Sequence, residues 1–138
     1  MAEIRNIFDI SGRAMAAQLT RLNTVASNLA NAGTISGTRE EAYRALKPVF
    51  ATSYADALKS SGLSTVDVAS IAEVGRAPER VYMPEHPVAD ADGFVYRAAV
   101  DENEEMVEMV EASRQYQNNV EVISTIRALM MRTINMGK

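Results

Sequence analysis

His86, Asp90 and Asp92 are the side chains whose types and spacing come nearest to a chemical site. One imidazole and two carboxylates in a short loop can ligate a divalent metal or exchange protons. The set is thin for either task, because a single histidine with two loop carboxylates under-fills a metal's coordination and no HExxH helix accompanies it. The run Asp90-Ala91-Asp92-Gly93 echoes the start of a calcium loop. In that frame, position 1 would be Val88 and position 12 would be Ala99, and neither can chelate. A serine nucleophile would need a general base, and His86 is the one histidine of the chain. Shaping a turn is the simpler use of these polar residues.

Asn28 and Asn31 form a second constellation. They sit three apart near the end of a helical pattern, with Ala26, Ala30 and Ala32 leaving room for close approach. Asparagine is a poor helix former unless its amide satisfies backbone groups or a partner. Capping accounts for Asn31 more readily than for Asn28, whose amide is left to satisfy backbone groups or a partner. The glutamates between 102 and 111 are read as a solvated first stretch of helix that complements its dipole.

Two terminal helices must carry these groups. Over residues 4–31, Ile4, Phe8, Met15, Leu22, Val25, Ala26 and Leu29 recur at helical steps, with Ile7 and Leu19 widening the stripe. Asn6 and Asp9 resemble a capping box, Gly12 weakens the first turns, and Gly33 is expected to supply a left-handed stop. Over residues 101–136, Asp101 and Glu104 form a cap-like pair. Met106, Met109, Ser113, Tyr116, Val120, Ile123, Met130 and Ile134 make one apolar line, in which Arg127 is the only charge. Val107, Val110, Ile126 and Leu129 make a second. Arg127, Arg132 and Lys138 place positive charge at the far end. Such a helix is about 50 Å long at 1.5 Å per residue. One partner helix cannot cover both lines, so a second subunit is expected on the outer one. The alternative is a compact bundle closed by the middle of the chain.

Between the helices, residues 34–38 read as loop, Glu40 to Leu46 as a short helix stopped by Pro48, and Ser53 to Lys59 as a turn ended by residues 60–62. Residues 63–74 alternate partly and are rich in β-branched side chains, so a strand is expected there. Val81 to Met83 and Phe94 to Tyr96 are two further strands joined through the turn at 84–87. The expected fold is therefore mainly α with a small β element. Residues 1–33 and 101–138 form a terminal-helix domain, packed as an antiparallel coiled-coil-like pair, and 34–100 form a short hairpin-and-loop insert.

The 138 residues suffice for one domain, and 47% hydrophobic content suits a folded chain. The 8 methionines either fill helical core or serve surfaces that adapt to partners. A net charge of −4 with no basic cluster argues against nucleic-acid binding. The absence of cysteine removes disulfides, thiolate catalysis and zinc sites built on thiolates. Charges interrupt the first fifteen residues, so no cleaved signal peptide is expected, and no apolar run is long enough to span a membrane. No cofactor and no small-molecule substrate are expected.

Residues 23–32 (NTVASNLANA) resemble the signature of the bacterial flagellar axial proteins, and residues 105–123 resemble the matching terminal helix. The segments 6–10 (NIFDI), 86–95 (HPVADADGFV) and 133–138 (TINMGK) make the proximal members of the basal-body rod family the best likeness. Residues 34–62 and 98–103 depart from the family pattern. The resemblance implies a non-catalytic subunit, exported without a cleaved signal through the flagellar type III apparatus. It also implies polymerisation with itself and other rod subunits into a helical tube that crosses the periplasm and transmits torque. Its assembly contacts are expected at Ile7, Phe8, Leu22, Asn28, Leu29, Asn31, Met106, Met109, Tyr116, Val120, Ile123 and Met130. On this reading Asn28→Ala impairs motility and leaves the melting of the monomer intact. A soluble helical binding module that does not polymerise is the alternative.

Overall fold

The computed structural model describes residues 2–53 and 64–137, with side chains over 7–52 and 64–137. Helix α1 spans Ala2–Asn31 and helix α2 spans Glu102–Met136. Between them lie β1 (Ile35–Ser36), β2 (Leu46–Ser53), β3 (Thr65–Glu73), β4 (Glu79–Tyr82) and β5 (Phe94–Arg97). Arg21 of α1 binds Glu108 and Asn28 binds Glu105, so the two helices run antiparallel. Among the shielded positions of α2, Glu105, Met109, Ala112, Tyr116, Asn119, Ile123, Ile126 and Met130 alternate by four and three, and Glu108, Ser113 and Gln115 beside them are shielded as well. Asp101 caps α2, its carboxylate accepting from the backbone N–H groups of Asn103 and Glu104.

The strands form two separate antiparallel sheets, β1-β5-β4 and the ribbon β2-β3. The ribbon lies along α1, and Arg13 reaches Asp67 of β3 at 3.1 Å. Residues 43–45 stitch the layers together. Ala99 N donates to Tyr43 O at 2.8 Å, and Val74 N donates to Ala45 O at 2.7 Å. The core at this junction is built from small side chains, Val25, Ala32, Ala42, Ala45, Val95, Ala98, Ala99 and Ala112. Small residues let helix, strand and connecting segment approach closely, as dense packing requires.

The expected strands at 63–74, 81–83 and 94–96 are present as β3, β4 and β5, with the turn at 84–87 between the last two. Other expectations are corrected. Glu40 to Leu46 is not a helix but an irregular segment leading into β2, because Asn28 and Ala99 take its backbone hydrogen bonds. Pro48 lies inside β2 opposite Ile71 rather than ending a helix. A two-stranded ribbon has two edges, so proline's missing N–H can face away from the partner strand. Residues 34–38 contain β1. Asn6 is not a cap, since α1 begins four residues earlier.

Gly33 has no positive φ; instead Thr34 closes the end of α1, its N–H and hydroxyl both donating to Asn31 O. No basic residue stands in the last turn of α2. The turn expected within residues 53–59, with its stop at 60–62, falls almost wholly outside the described residues.

Gly93 is the one described residue with positive φ, at 81°. A Cβ there would stand 2.9 Å from Tyr82 Cε2 and 3.0 Å from Pro84 Cβ. Gly93→Ala is therefore expected to cost about 2 kcal/mol, from left-handed backbone strain plus overlap. Gly12 lies mid-helix with open space around its Cα, so Gly12→Ala is expected to gain up to about 1 kcal/mol. Thermal melts of the two variants should move in opposite directions.

Candidate assembly interface

Among the described residues, the largest fully buried side chains are Glu105, Val95 and Asn28, and the two polar ones bind each other. Asn28 Nδ2 donates to Glu105 Oε2 at 3.0 Å and to Leu46 O at 2.8 Å. Its Oδ1 accepts from Leu46 N at 2.9 Å and from the Tyr43 hydroxyl at 3.0 Å. A side-chain amide offers two donors and two acceptor positions, and all four are used inside the chain. Asn28 thus ties α1, α2 and β2 into one unit. Expected as an assembly contact, Asn28 is fully buried in the isolated chain.

Ion pairs surround this bracket. Arg21, half-buried, binds Glu108 through Nε at 2.8 Å and also through Nη2, and approaches Glu111 at 3.6 Å. Lys47 Nζ donates to Glu104 Oε1 at 2.7 Å, and Arg76 Nη2 donates to Glu104 Oε2 at 3.2 Å. Arg21, Lys47, Glu105 and Glu108 share a cleft of about 340 Å³ with Val25, Leu46, Pro48 and Phe50. The glutamates read as a solvated stretch therefore divide into three kinds. Glu105 is buried, Glu104 and Glu108 bind other elements, and Glu102 and Glu111 stay exposed.

The hydrogen bond to Lys47 holds the Glu104 carboxyl below its usual range, and the same bond raises the Lys47 ammonium. A depressed carboxyl contributes stability that is present above its unfolded value and is lost as pH falls through the folded one. The raised ammonium contributes stability that is present below its unfolded value and is lost as pH rises through the folded one. Both groups are about two-fifths exposed, so the pair is worth under about 1 kcal/mol. Lys47→Met should accordingly flatten part of the acid limb of a stability–pH curve below about pH 4.3, leaving the neutral region almost unchanged.

The turn carrying His86 is satisfied from within. Asp90 Oδ1 accepts from Phe94 N at 2.8 Å and Asp92 N at 3.0 Å, and His86 Nδ1 accepts from Val88 N at 3.4 Å. Those bonds, that from Phe94 foremost, hold the Asp90 carboxyl below its usual range. Arg80 stacks 3.7 Å from the Phe94 ring centroid, and Tyr82 meets that ring edge-on at 5.1 Å. This network shapes a turn, and no group of three or more His, Asp or Glu that could hold a metal occurs among the described residues.

The remaining contact residues expected from the sequence fall into two groups. Met106 and Val120 are exposed on α2, and Ile7 is just exposed on α1. Phe8, Leu22, Leu29, Asn31, Met109, Tyr116, Ile123 and Met130 are partly shielded within the chain. Of the second apolar line, Val107 is 67% exposed, Val110 52% and Leu129 56%, while Ile126 is half-buried. Met106, Val107, Val110, Glu111 and Arg114 line a shallow surface groove. The residues missed from sequence are Glu105, Tyr43, Arg21 and Leu46. Only phase could have found Glu105, which stands one four-residue step before Met109 among look-alike glutamates.

A family described as "Flagella basal body rod protein" matches residues 8–34, and "Flagellar basal body rod FlgEFG protein C-terminal" matches residues 91–136. The chain is 46% identical over 134 residues to the flagellar basal-body rod protein FlgC of Salmonella typhimurium, covering 96% of this chain and 97% of that one. It is 43% identical to the FlgC of Escherichia coli O6:H1 at the same coverage. It is 36% identical to the FlgC of Aquifex aeolicus over the whole of both chains. With identities of this size over almost its full length, the chain belongs to the FlgC family of flagellar basal-body rod proteins.

Proposed function

We propose that this chain is a structural subunit of the bacterial flagellar basal-body rod, polymerising with itself and with other rod subunits into a helical tube that transmits torque. The observation that carries the reading is the apolar patch that α2 leaves uncovered at Met106, Val107 and Val110, with Leu129 exposed further along the helix. Monomers rarely expose a contiguous apolar surface without a partner for it. A heterologous contact that does not close on itself generates a filament. The names of the relatives support the same assignment.

On this reading residues 1–33 and 101–138 form the assembling domain, its helices packed like an antiparallel coiled coil, and 34–100 form an insert. The alternating burial steps of α2 favour that packing. The subunit acts without catalysis or cofactor, is exported through the flagellar type III apparatus, and functions where the rod crosses the periplasm. No helix among the described residues is long and apolar enough to cross a membrane.

Deleting the gene from its bacterium should abolish swimming, and a tagged copy should restore it and purify with basal bodies. Swimming by the deletion strain would overturn the assignment. Limited proteolysis separates it from a closed helical binding module. A rod subunit should lose its helix ends well before residues 64–97, whereas a closed module should protect both.

A further inference from the structure

Asp92-Gly93 is the one place in the sequence where an aspartate or asparagine is followed by glycine. There the side-chain carboxyl carbon can close a five-membered ring onto the next peptide nitrogen, and glycine puts no side chain beside that nitrogen. The Asp92 side chain is exposed. The fold grips the backbone of the same dipeptide. Gly93 is buried and holds φ at 81°, with Tyr82 and Pro84 packed against it. Its N–H donates to Asp90 O at 3.0 Å, and its carbonyl accepts from Met83 N at 2.9 Å. On either side, Asp92 N and Phe94 N both donate to Asp90 Oδ1.

We propose that Asp92 is a site of spontaneous isoaspartate formation, and that the closed turn of residues 83–94 holds the reaction off. In the open chain the Gly93 nitrogen attacks the carboxyl carbon of protonated Asp92. A C–N bond forms as a C–O bond breaks, and the amide proton leaves with the hydroxyl as water. Water then adds to the cyclic imide. Addition at the former side-chain carbonyl restores aspartate. Addition at the main-chain carbonyl leaves a free carboxylate on Cα and a backbone one carbon longer, with no net change in mass.

In the closed turn, attack requires the Gly93 nitrogen to give up its bond to Asp90 O and to leave a buried position. The folded chain therefore reacts only for the fraction of time in which the turn is open. The longer backbone also prevents the turn from closing again. Asp92 N and Phe94 N must reach Asp90 Oδ1 together for β4 and β5 to meet with Arg80 and Tyr82 on the Phe94 ring, and the extra carbon separates them. A chain kept open thus loses this hairpin with time.

Purified chain is held in warm neutral buffer with and without urea. Tryptic peptide 81–97 is then followed by chromatography, electron-transfer fragmentation and labelling with an isoaspartyl methyltransferase. Isoaspartate at Asp92 is expected to accumulate in urea, and at least about tenfold more slowly in the folded chain. A denatured chain without isoaspartate at Asp92 overturns the proposal, and so does a folded chain that reacts as fast as the denatured one. Asp90→Ala removes the acceptor for two turn amides, so its rate in buffer should approach the rate in urea. An unchanged rate overturns the protective role of the turn. Gly93→Ala is measured in urea alone, where folding plays no part, and should react several-fold more slowly. A rate equal to that of the unsubstituted chain overturns attack by the Gly93 nitrogen. Isomerised chain returned to buffer should be cut by trypsin after Arg80 sooner than unmodified chain, and equal cutting overturns the loss of the hairpin. The rod assignment is read separately, from swimming of the deletion strain.

Discussion

Asn28→Ala is expected to destabilise the chain by about 3 kcal/mol or more, because several buried groups lose their partners together. Truncation removes the donor to the Glu105 carboxylate, the donor to Leu46 O, and the acceptor for both Leu46 N and the Tyr43 hydroxyl. Each buried polar group left unpaired costs about 1–3 kcal/mol, with more for a charged one. Solvation through the small void relieves part of that sum. For a chain of this size the loss corresponds to roughly a 10 °C fall in melting temperature.

Asn31→Ala serves as the internal control. Its amide makes one hydrogen bond, to Ser27 O at the end of α1, so a change within about 0.5 kcal/mol is expected. Glu105→Gln should cost less than Glu105→Ala, since its side-chain carbonyl can still accept from Asn28. Differential scanning calorimetry on the four variants checks the order. A melt for Asn28→Ala equal to that of the unsubstituted chain would restore the reading of Asn28 as an intersubunit contact.

The Asn28 bracket shows where legibility in the sequence stops. Its oddity was visible, because asparagine in a helix interior demands a partner. The identity of that partner was not, since Leu46, Tyr43 and Glu105 lie 18, 15 and 77 positions away. The helices were legible because their periodicity is local and long, and β3, β4 and β5 because β-branched and aromatic residues cluster in them. β2 was missed for a physical reason. Glu40 to Leu46 has good intrinsic helix formers, but tertiary hydrogen bonds to Asn28 and Ala99 hold the segment extended or irregular. The short strand β1 exists only because β5 pairs with it, and nothing in its two residues announces that. Exposure along α2 was foreseen as an excess of apolar surface, although the shielded face turned out to include a glutamate.

Val110→Glu is expected to abolish swimming while leaving the isolated chain almost as stable as before. Val110 is 52% exposed and lies on a helix interior far from any cap. Substitutions at such positions stay within about 0.5 kcal/mol. The new carboxylate would stand four residues before Arg114, a spacing and order that add a few tenths of a kcal/mol in a helix. In the rod the same carboxylate would be enclosed against apolar side chains of a neighbour, where an unpaired charge costs several kcal/mol. That cost recurs at every subunit, so even a modest penalty per contact removes the polymer.

Glu85→Gln, on the exposed turn between β4 and β5, changes charge as well and should swim normally. Motility in soft agar, set beside thermal melts of the purified variants, separates the two effects. Normal swimming by Val110→Glu would remove the outer face of α2 from the assembly contacts. A large loss of monomer stability would show instead that the face packs within the chain. The contrast with Asn28 is the physical content of both experiments: one residue acts by holding the subunit's shape, and the other by leaving surface that only a neighbour can cover.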